Sequence, residues 1–251
     1  MIPVSKLTTE NEPGLFDTNC RKPGAAWLTA NPEKDPHDQS GWWSQFKPDL
    51  AKHFNYRCGW LGTSIELEGV VEHYRSCGNR KKQSSPHRHL AFEWSNYRYA
   101  SGTVNSRKGN HDDAILDPCE VGEHWFEVTL HGFQLLPTKA IPKELRAKAK
   151  FTLKTLELRN GLHARMARWK WYERYWNNGE PRLDLLERDA PLVAAAVKKA
   201  QANGEELPNP NEQAPASEVV ARIRPYTKRQ KRVMRDKSSE SAVAITDELT
   251  S

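Results

Sequence analysis

Apolar and polar residues alternate around Gly69 in the stretch TSIELEGVVEHY, residues 63–74. Alternation is typical of β-strands, because successive side chains of a strand point to opposite faces. The stretch therefore predicts a strand, a turn at Gly69 and a second strand. The stretch HWFEVTLHGFQLL, residues 124–136, has the same character, and we predict a second pair of strands that turns at Gly132.

The pattern changes to a helical one in residues 140–176. Apolar residues are spaced mostly three or four apart at Leu145, Ala149, Leu153, Leu156, Leu162, Met166, Trp169 and Tyr172. This spacing predicts two amphipathic helices that are joined near Asn160 and Gly161. We predict a third helix over residues 181–202, and a short helix over residues 47–56 with Pro48 in its first turn.

The two ends of the chain have a different composition. Residues 1–50 are rich in Pro, Asn, Asp and Gly, which predicts an irregular arm whose Trp27, Trp42 and Trp43 pack on the main body. After Gly204 the apolar residues become sparse, which is typical of a linker and a disordered tail. We therefore expect an α+β protein with four parts: an arm (1–50), a core (51–136), a basic helical extension (137–203), and a linker with a basic tail (204–251).

Charge and composition limit the class of protein. The chain has 251 residues and a formal net charge of +6, which favours an anionic partner, nucleic acid first. No apolar run reaches the roughly 18–20 residues of a membrane span, and the N-terminus has no signal-peptide pattern. Cys20, Cys58, Cys77 and Cys119 form no C-x-x-C pair, which is typical of reduced thiols. We expect a cytoplasmic protein with no membrane partner.

Several residues whose side chains can accept a proton or bind a metal follow one another in the central part of the chain. Glu72 and His73 end a predicted strand, Asn96 follows Trp94 by two residues, and Asn105 begins the motif NSRKG. A neutral imidazole can take a proton from water at neutral pH. Carboxylate and amide oxygens are the ligands that Mg²⁺ prefers. Each residue alone is most often an ordinary surface or turn residue, but their order and spacing favour a shared site.

This order resembles that of the HNH, or ββα-metal, endonucleases: acid-His, then Trp-x-Asn, then Asn-x-x-Lys-Gly. The resemblance implies that His73 is the general base and that Glu72 and Asn105 hold one Mg²⁺ or Mn²⁺ ion. It also implies that Asn96 fixes the loop around the base. Lys108 would either touch phosphate or brace the site.

The resemblance extends over about residues 1–195. The segment LDPCEVGEHWFEVTLHGFQL (116–135), the following helices and the opening IPV are similar to those of a bacterial subgroup of HNH proteins. This subgroup includes nucleases of anti-phage systems of the retron, Septu and Zorya types. The resemblance implies a DNA endonuclease of bacterial defence that nicks DNA. An ATPase or sensor protein of the same system is an implied partner.

Two departures from the family pattern affect this interpretation. Many relatives bind a structural zinc through two C-x-x-C pairs, but the matching positions here are Asn55, Cys58, Ser101 and Val104. We expect no zinc, and we expect aromatic packing to hold the hairpin to the helix, through Phe54, Trp60, Phe92, Trp94 and Tyr99. The usual aspartate before the base is Glu72, whose side chain is one methylene longer. The site is then either active with a shifted metal or weakened.

Basic residues provide candidates for nucleic-acid binding. Around the motif they are Arg75, Arg80, Lys81, Lys82, Arg98, Arg107 and Lys108. The segment 138–176 is also strongly cationic and is interleaved with Trp and Tyr, which suits a DNA backbone as well as it suits a solvated helix face. The tail at 222–237 is basic too, and either binds nucleic acid or docks a partner.

Several polar residues near the motif have more than one role open to them. His87 and His89 are either loop residues or metal ligands, and residues 111–113 form either an exposed turn or an acidic metal contact. Cys77 and Cys119 are a possible zinc pair with His73, which would exclude His73 as a base. Two rival functions also remain: a catalytically decayed HNH scaffold that binds nucleic acid, or a partner-binding subunit of a defence complex.

Overall fold

The computed structural model describes residues 1–78, 85–177, 182–212 and 214–215. In these ranges, helices surround two small antiparallel sheets of two strands each, which confirms the expected α+β class. No helix in the described ranges is both long enough and apolar enough to cross a bilayer.

The N-terminal arm is more helical than its composition predicts. A π-helical turn at Asp17–Arg21 continues into α1 (Lys22–Ala30), and α2 (Gly41–Ser44) and α3 (Lys47–His53) follow. The prediction of an irregular arm was wrong because Pro23 and Gly24 lie in the first turn of α1, where proline is tolerated. Gly24 allows a close contact, since a Cβ there would lie 2.1 Å from Cγ of Phe92.

The predicted strand before Gly69 is absent, and the true partner of the second strand lies further along the chain. Strand β1 (Val70–His73) pairs antiparallel with β2 (Tyr97–Ala100), and His73 lies opposite Tyr97. Residues 63–68 instead form a turn that packs on Tyr99. The hydroxyl of Tyr99 accepts a hydrogen bond from the Gly69 N–H at 3.0 Å and donates to the carbonyl of Glu66. Helix α4 (Gly102–Lys108) follows β2 directly.

The second pair of strands agrees with the sequence pattern. Strand β3 (Phe126–Val128) pairs antiparallel with β4 (Leu135–Pro137). Gly132 lies in the turn between them with a φ of +80°, a conformation that glycine adopts without strain.

The helical extension contains one helix more than the sequence predicts. Helices α5 (Arg146–Thr155) and α6 (Leu162–Asn177) match the two predicted helices, but the third is divided into α7 (Leu183–Asp189) and α8 (Pro191–Ala202). The break falls at Ala190 because the following proline disfavours a helical backbone at that residue.

Two hydrophobic clusters hold these elements together. One joins the second sheet to the helices α5–α8. The other joins the arm to the first sheet and contains the buried Trp43, Phe92, Trp94 and Tyr97, with Trp27 and Trp42 packed at its edge. The start of the predicted linker packs on α6, where Tyr172 donates a hydrogen bond to the Pro208 carbonyl at 2.8 Å. The predicted basic tail lies outside the described residues.

Candidate active site

A cleft of about 390 Å³ opens between β1, α4 and the arm. Its walls are formed by His37, Trp43, Val71, Glu72, His73, Ser76, Cys77, Gly78, Asn105, Gly109 and Asn110. The cleft therefore brings together three residues that the sequence singled out, from a strand and a helix that are about thirty residues apart: Glu72, His73 and Asn105. Asn96 and Lys108 do not line it and lie buried behind it.

His73 is held at the end of β1 with a defined tautomer. Its Nε2 lies 2.9 Å from the carbonyl oxygen of Ala91. Because a carbonyl only accepts hydrogen bonds, Nε2 carries the proton and the neutral ring has its lone pair on Nδ1. The rings of Trp43 and Tyr97 pack edge-on against the imidazole, with centroids 4.8 and 5.1 Å away.

Burial also sets the charge of this ring. It lowers the pKa of His73 to about 4, because water is excluded from the imidazolium form. The nearby His37 and the Lys108 ammonium lower this pKa further, while the hydrogen bond to Ala91 opposes them. At neutral pH the ring is therefore an uncharged proton acceptor.

Glu72 is buried beside a cation. The Lys108 ammonium lies 2.8 Å from Oε1 of Glu72 and also donates to the His73 carbonyl at 3.0 Å and the Gly109 carbonyl at 3.3 Å. Burial raises the pKa of Glu72 to about 7, and the attraction of Lys108 partly offsets this effect. Of the two roles expected for Lys108, its complete burial supports the bracing role and leaves no surface for a phosphate contact.

Asn96 ties together the loop that carries the partner of His73. Its Oδ1 accepts from the Arg75 N–H at 2.8 Å, and its Nδ2 donates to the carbonyls of Arg75 at 3.0 Å and Leu90 at 3.2 Å. Leu90 precedes Ala91, whose carbonyl binds His73. The amide side chain therefore ties the backbone of Arg75 to that of Leu90, the residue before Ala91.

Of the four positions that the resemblance matches to a zinc site, Cys58, Ser101 and Val104 are connected by contacts of other kinds. The Ser101 N–H donates to Sγ of Cys58 at 3.4 Å, and Ser101 Oγ accepts from the Val104 N–H at 3.3 Å, which caps α4. In the part of the chain that the structure describes, no three His, Cys, Asp or Glu side chains are grouped so as to hold a metal. The alternative zinc set of Cys77, Cys119 and His73 is therefore not assembled.

The residues of the cleft nevertheless fit a single Mg²⁺ or Mn²⁺ ion. Glu72 and Asn105 supply a carboxylate and an amide oxygen, and Mg²⁺ in proteins often has one or two such ligands and keeps several waters. Lys108 engages Oε1 of Glu72, so a metal would bind through Oε2 or displace the ammonium from Oε1.

The basic candidates differ in their accessibility. Arg75 is exposed and lies 3.4 Å from Asp113, whereas Arg107 pairs with Glu157 at 2.6 Å. The proposal of a nucleic-acid contact for Arg98 needs correction, because its guanidinium is buried and bound by Asp117. Three further candidates lie outside the described residues: Arg80, Lys81 and Lys82.

The acidic turn after α4 braces the cleft. Asp112 Oδ1 accepts from the Ser76 N–H at 2.9 Å, and Asp112 Oδ2 lies 3.7 Å from His87 Nε2. The ring of His111 packs on Phe151 with centroids 5.5 Å apart. These contacts favour a structural turn over a second metal contact.

Sequence analysis missed the contribution of the arm to the cleft. His37 lines the cleft, its ring centroid lies 5.6 Å from that of His73, and its Nδ1 lies 2.7 Å from Oδ1 of Asp35. The segment DPHDQSGWW matches no motif, and only its tryptophans indicated that it packs on the core.

Comparison with protein-family models gave no match, and comparison with curated proteins gave no significant match.

Proposed function

We propose that the protein is a metal-dependent HNH endonuclease that hydrolyses phosphodiester bonds of DNA. The observation that carries the proposal is the strand–strand–helix unit of β1, β2 and α4, in which His73, Glu72 and Asn105 face one cleft. The ββα-metal family has a strand–strand–helix unit of this kind, and its motif residues occur in this order along the chain.

In this proposal His73 activates the attacking water. Its Nε2–H stays bound to the Ala91 carbonyl, so Nδ1 accepts the proton of the water. The low pKa of His73 keeps the ring uncharged at neutral pH, so that its Nδ1 lone pair is available. Asn96 keeps the Ala91 segment in place, and the surrounding rings prevent the imidazole from turning.

Glu72 and Asn105 would hold the Mg²⁺ or Mn²⁺ ion. When bound, such an ion stabilises the negative charge that develops on the phosphate and on the leaving 3′-oxygen. Lys108 holds the Glu72 carboxylate in place and neutralises it in the absence of an ion. One cleft cuts one strand at a time, so we expect nicking as the default product.

The sequence resemblance further supports a role in bacterial anti-phage defence, in which an ATPase or sensor protein restrains the nuclease. This part of the proposal depends on the motif and not on the geometry of the cleft.

Cleavage of supercoiled plasmid tests the function. We expect Mg²⁺-dependent conversion to relaxed circles, its loss in EDTA, and a fall of about 100-fold in rate for Glu72→Gln. The exposed Glu144, replaced in Glu144→Gln, provides a matched control with an unchanged rate. Nicking that persists in EDTA, or an equal rate for Glu72→Gln, would contradict the proposal.

One observation favours a second candidate, a decayed scaffold that binds nucleic acid without cutting it. The Lys108 ammonium already provides a positive charge to Glu72, as a metal would. This candidate predicts no cleavage and DNA binding that is indifferent to divalent ions. Titration calorimetry with Mn²⁺ separates the two, because only a nuclease site gives ion binding that Glu72→Gln abolishes and Glu144→Gln retains.

A further inference from the structure

A second histidine of the cleft comes from the arm and has no part in the proposed mechanism. His37 follows Asp35 closely in sequence, and its side chain is 35% exposed. We propose that His37, oriented by Asp35, contacts a non-bridging oxygen of the scissile phosphate. This inference rests on the proposed nuclease function and adds a substrate-binding residue to it.

The hydrogen bonds of His37 determine which ring atom faces a ligand. A carboxylate only accepts, so Nδ1–H of His37 donates to Oδ1 of Asp35 at 2.7 Å. Among the described residues no hydrogen bond reaches Nε2, although the ring lines the cleft. The pair therefore presents one free nitrogen to the cleft in a fixed orientation.

The position of the ring suits a phosphate that lies next to the base. The centroids of His37 and His73 are 5.6 Å apart, and Trp43 packs edge-on against both rings, at 5.6 and 4.8 Å. Trp43 thus fixes the spacing of the two imidazoles. A phosphate whose attacking water lies at His73 falls within reach of His37.

The charges in the cleft suit the same role. A phosphate oxygen needs Nε2 to carry a proton, and the ring is then an imidazolium between the Asp35 carboxylate and the phosphate. Both hydrogen bonds are then assisted by charge, which makes them shorter and stronger than neutral ones. His73 on the other side remains neutral, and so the two histidines have different tasks.

A purely structural role explains the contacts less completely. The Pro36–Gln39 turn is already capped, because Oδ1 of Asp35 accepts the backbone N–H of His37 at 2.9 Å. The turn therefore does not require the imidazole.

The test uses His37→Gln and Asp35→Asn, with His131→Gln as a control for an exposed histidine outside the cleft. Gln and Asn keep the size and the polar character of the replaced side chains. We expect kcat/KM for nicking to fall about 10- to 100-fold in His37→Gln and less in Asp35→Asn, with an unchanged thermal midpoint. The control is expected to match the wild type.

A binding measurement makes the result independent of cleavage. His73→Ala serves as a non-cutting parent, and fluorescence anisotropy of a short duplex measures its affinity for DNA. We expect His37→Gln in this parent to weaken binding. His131→Gln is expected to leave the affinity unchanged.

The outcomes for the two proposals are distinguishable. If His37→Gln binds and cuts DNA as its parent does, the phosphate contact is wrong and the nuclease stands. If the wild type binds DNA but does not cut it, the nuclease proposal fails, and the anisotropy measurement still decides the role of His37. A lower thermal unfolding midpoint for His37→Gln than for the wild type would assign a structural role to the ring and overturn the phosphate contact. Absence of both binding and cutting would overturn both proposals.

Discussion

Glu72 and His73 are consecutive residues on which burial acts in opposite senses. Burial raises the pKa of Glu72 from 4.5 to about 7 and lowers that of His73 from 6.5 to about 4. In each case the charged form is disfavoured by desolvation. The cleft therefore contains a neutral imidazole beside a carboxyl group that is only partly ionised at neutral pH. An added cation would favour the ionised form of this carboxyl group.

These shifts have a consequence for stability. Folded Glu72 retains a proton that the unfolded chain releases, so its contribution to stability is lost as pH rises from 4.5 to about 7. For His73 the unfolded chain binds the extra proton, so its contribution is lost as pH falls from 6.5 to about 4. The two dependences oppose one another over most of this range.

We therefore predict that Glu72→Gln steepens the loss of stability in acid. With Glu72 removed, the dependence that opposes that of His73 is lost, so the free energy of unfolding falls more sharply between pH 6.5 and about 4 than in the wild type. Urea unfolding at a series of pH values measures this difference. Parallel curves for the two proteins would mean that the Glu72 carboxyl is not buried in the folded protein.

At the scale of elements, the candidate site lies where the arm meets the sheet of β1 and β2. The arm supplies His37 and Trp43, and α1 approaches the loop before β2 at Gly24, which contacts Phe92. Phe92 follows Ala91, the hydrogen-bond partner of His73. The packing of the arm is thereby linked to the position of the His73 imidazole.

Two glycine substitutions test this link. Gly24→Ala places a Cβ 2.1 Å from Phe92, and we expect a loss of about 1–3 kcal/mol in the free energy of unfolding together with slower nicking. A Cβ at Gly41, in α2, would meet no atom within 4 Å, so Gly41→Ala should be neutral or slightly stabilising. Thermal and urea unfolding provide the comparison. Equal stability of the two variants would contradict the close contact of the arm.

The elements that sequence analysis predicted well are those that depend on local patterns. The turn at Gly132 and the helices α5 and α6 follow directly from alternation and from helical spacing. The strand partner of β1 was missed because pairing between strands that lie far apart in the chain leaves no periodic signal in the sequence. The strand expected before Gly69 is a turn instead, and the backbone of this turn is hydrogen-bonded to the Tyr99 hydroxyl. His37 was missed because only the packing of Trp43 brings the arm to the cleft.

The same distinction between local patterns and tertiary contacts applies to the candidate site. The motif identified Glu72, His73 and Asn105, which the fold places on one cleft, and it also identified Asn96 and Lys108, which lie behind it. The sequence left open whether Lys108 contacts phosphate, and burial of the ammonium against Glu72 now favours bracing. The sequence also could not distinguish the exposed Arg75 from the buried Arg98, because Arg98 pairs with Asp117 through a tertiary contact.

At the scale of the whole molecule, exposed basic residues are clustered on α5. Helix α5 packs on the segment after α4, where Thr152 Oγ1 accepts from the Leu116 N–H at 2.8 Å. Its outer face carries the exposed Arg146, Lys150 and Lys154. These three residues line a pocket of their own, separate from the cleft. Together with the net charge of +6, they favour the encounter with an anionic partner such as DNA.

The charge of α5 makes a prediction about salt. Replacement of Lys150 and Lys154 by Gln should weaken DNA binding and reduce the slope of log affinity against log salt by up to about 0.9 for each lost phosphate contact. The same change at Lys198 and Lys199 on α8, which packs on β3, removes equal charge and should have a smaller effect. An equal effect of both pairs would show that only net charge matters. Negligible DNA affinity in the wild type would favour the partner-binding alternative.

The most direct test of the account is the nicking rate of His73→Ala beside that of His111→Ala, with added imidazole. We predict that His73→Ala loses at least about 100-fold in rate, that imidazole restores part of it, and that His111→Ala remains active. Such a result would establish the imidazole of residue 73 as the base. Metal-dependent nicking by His73→Ala at the wild-type rate would contradict the assignment of the base and with it the central claim.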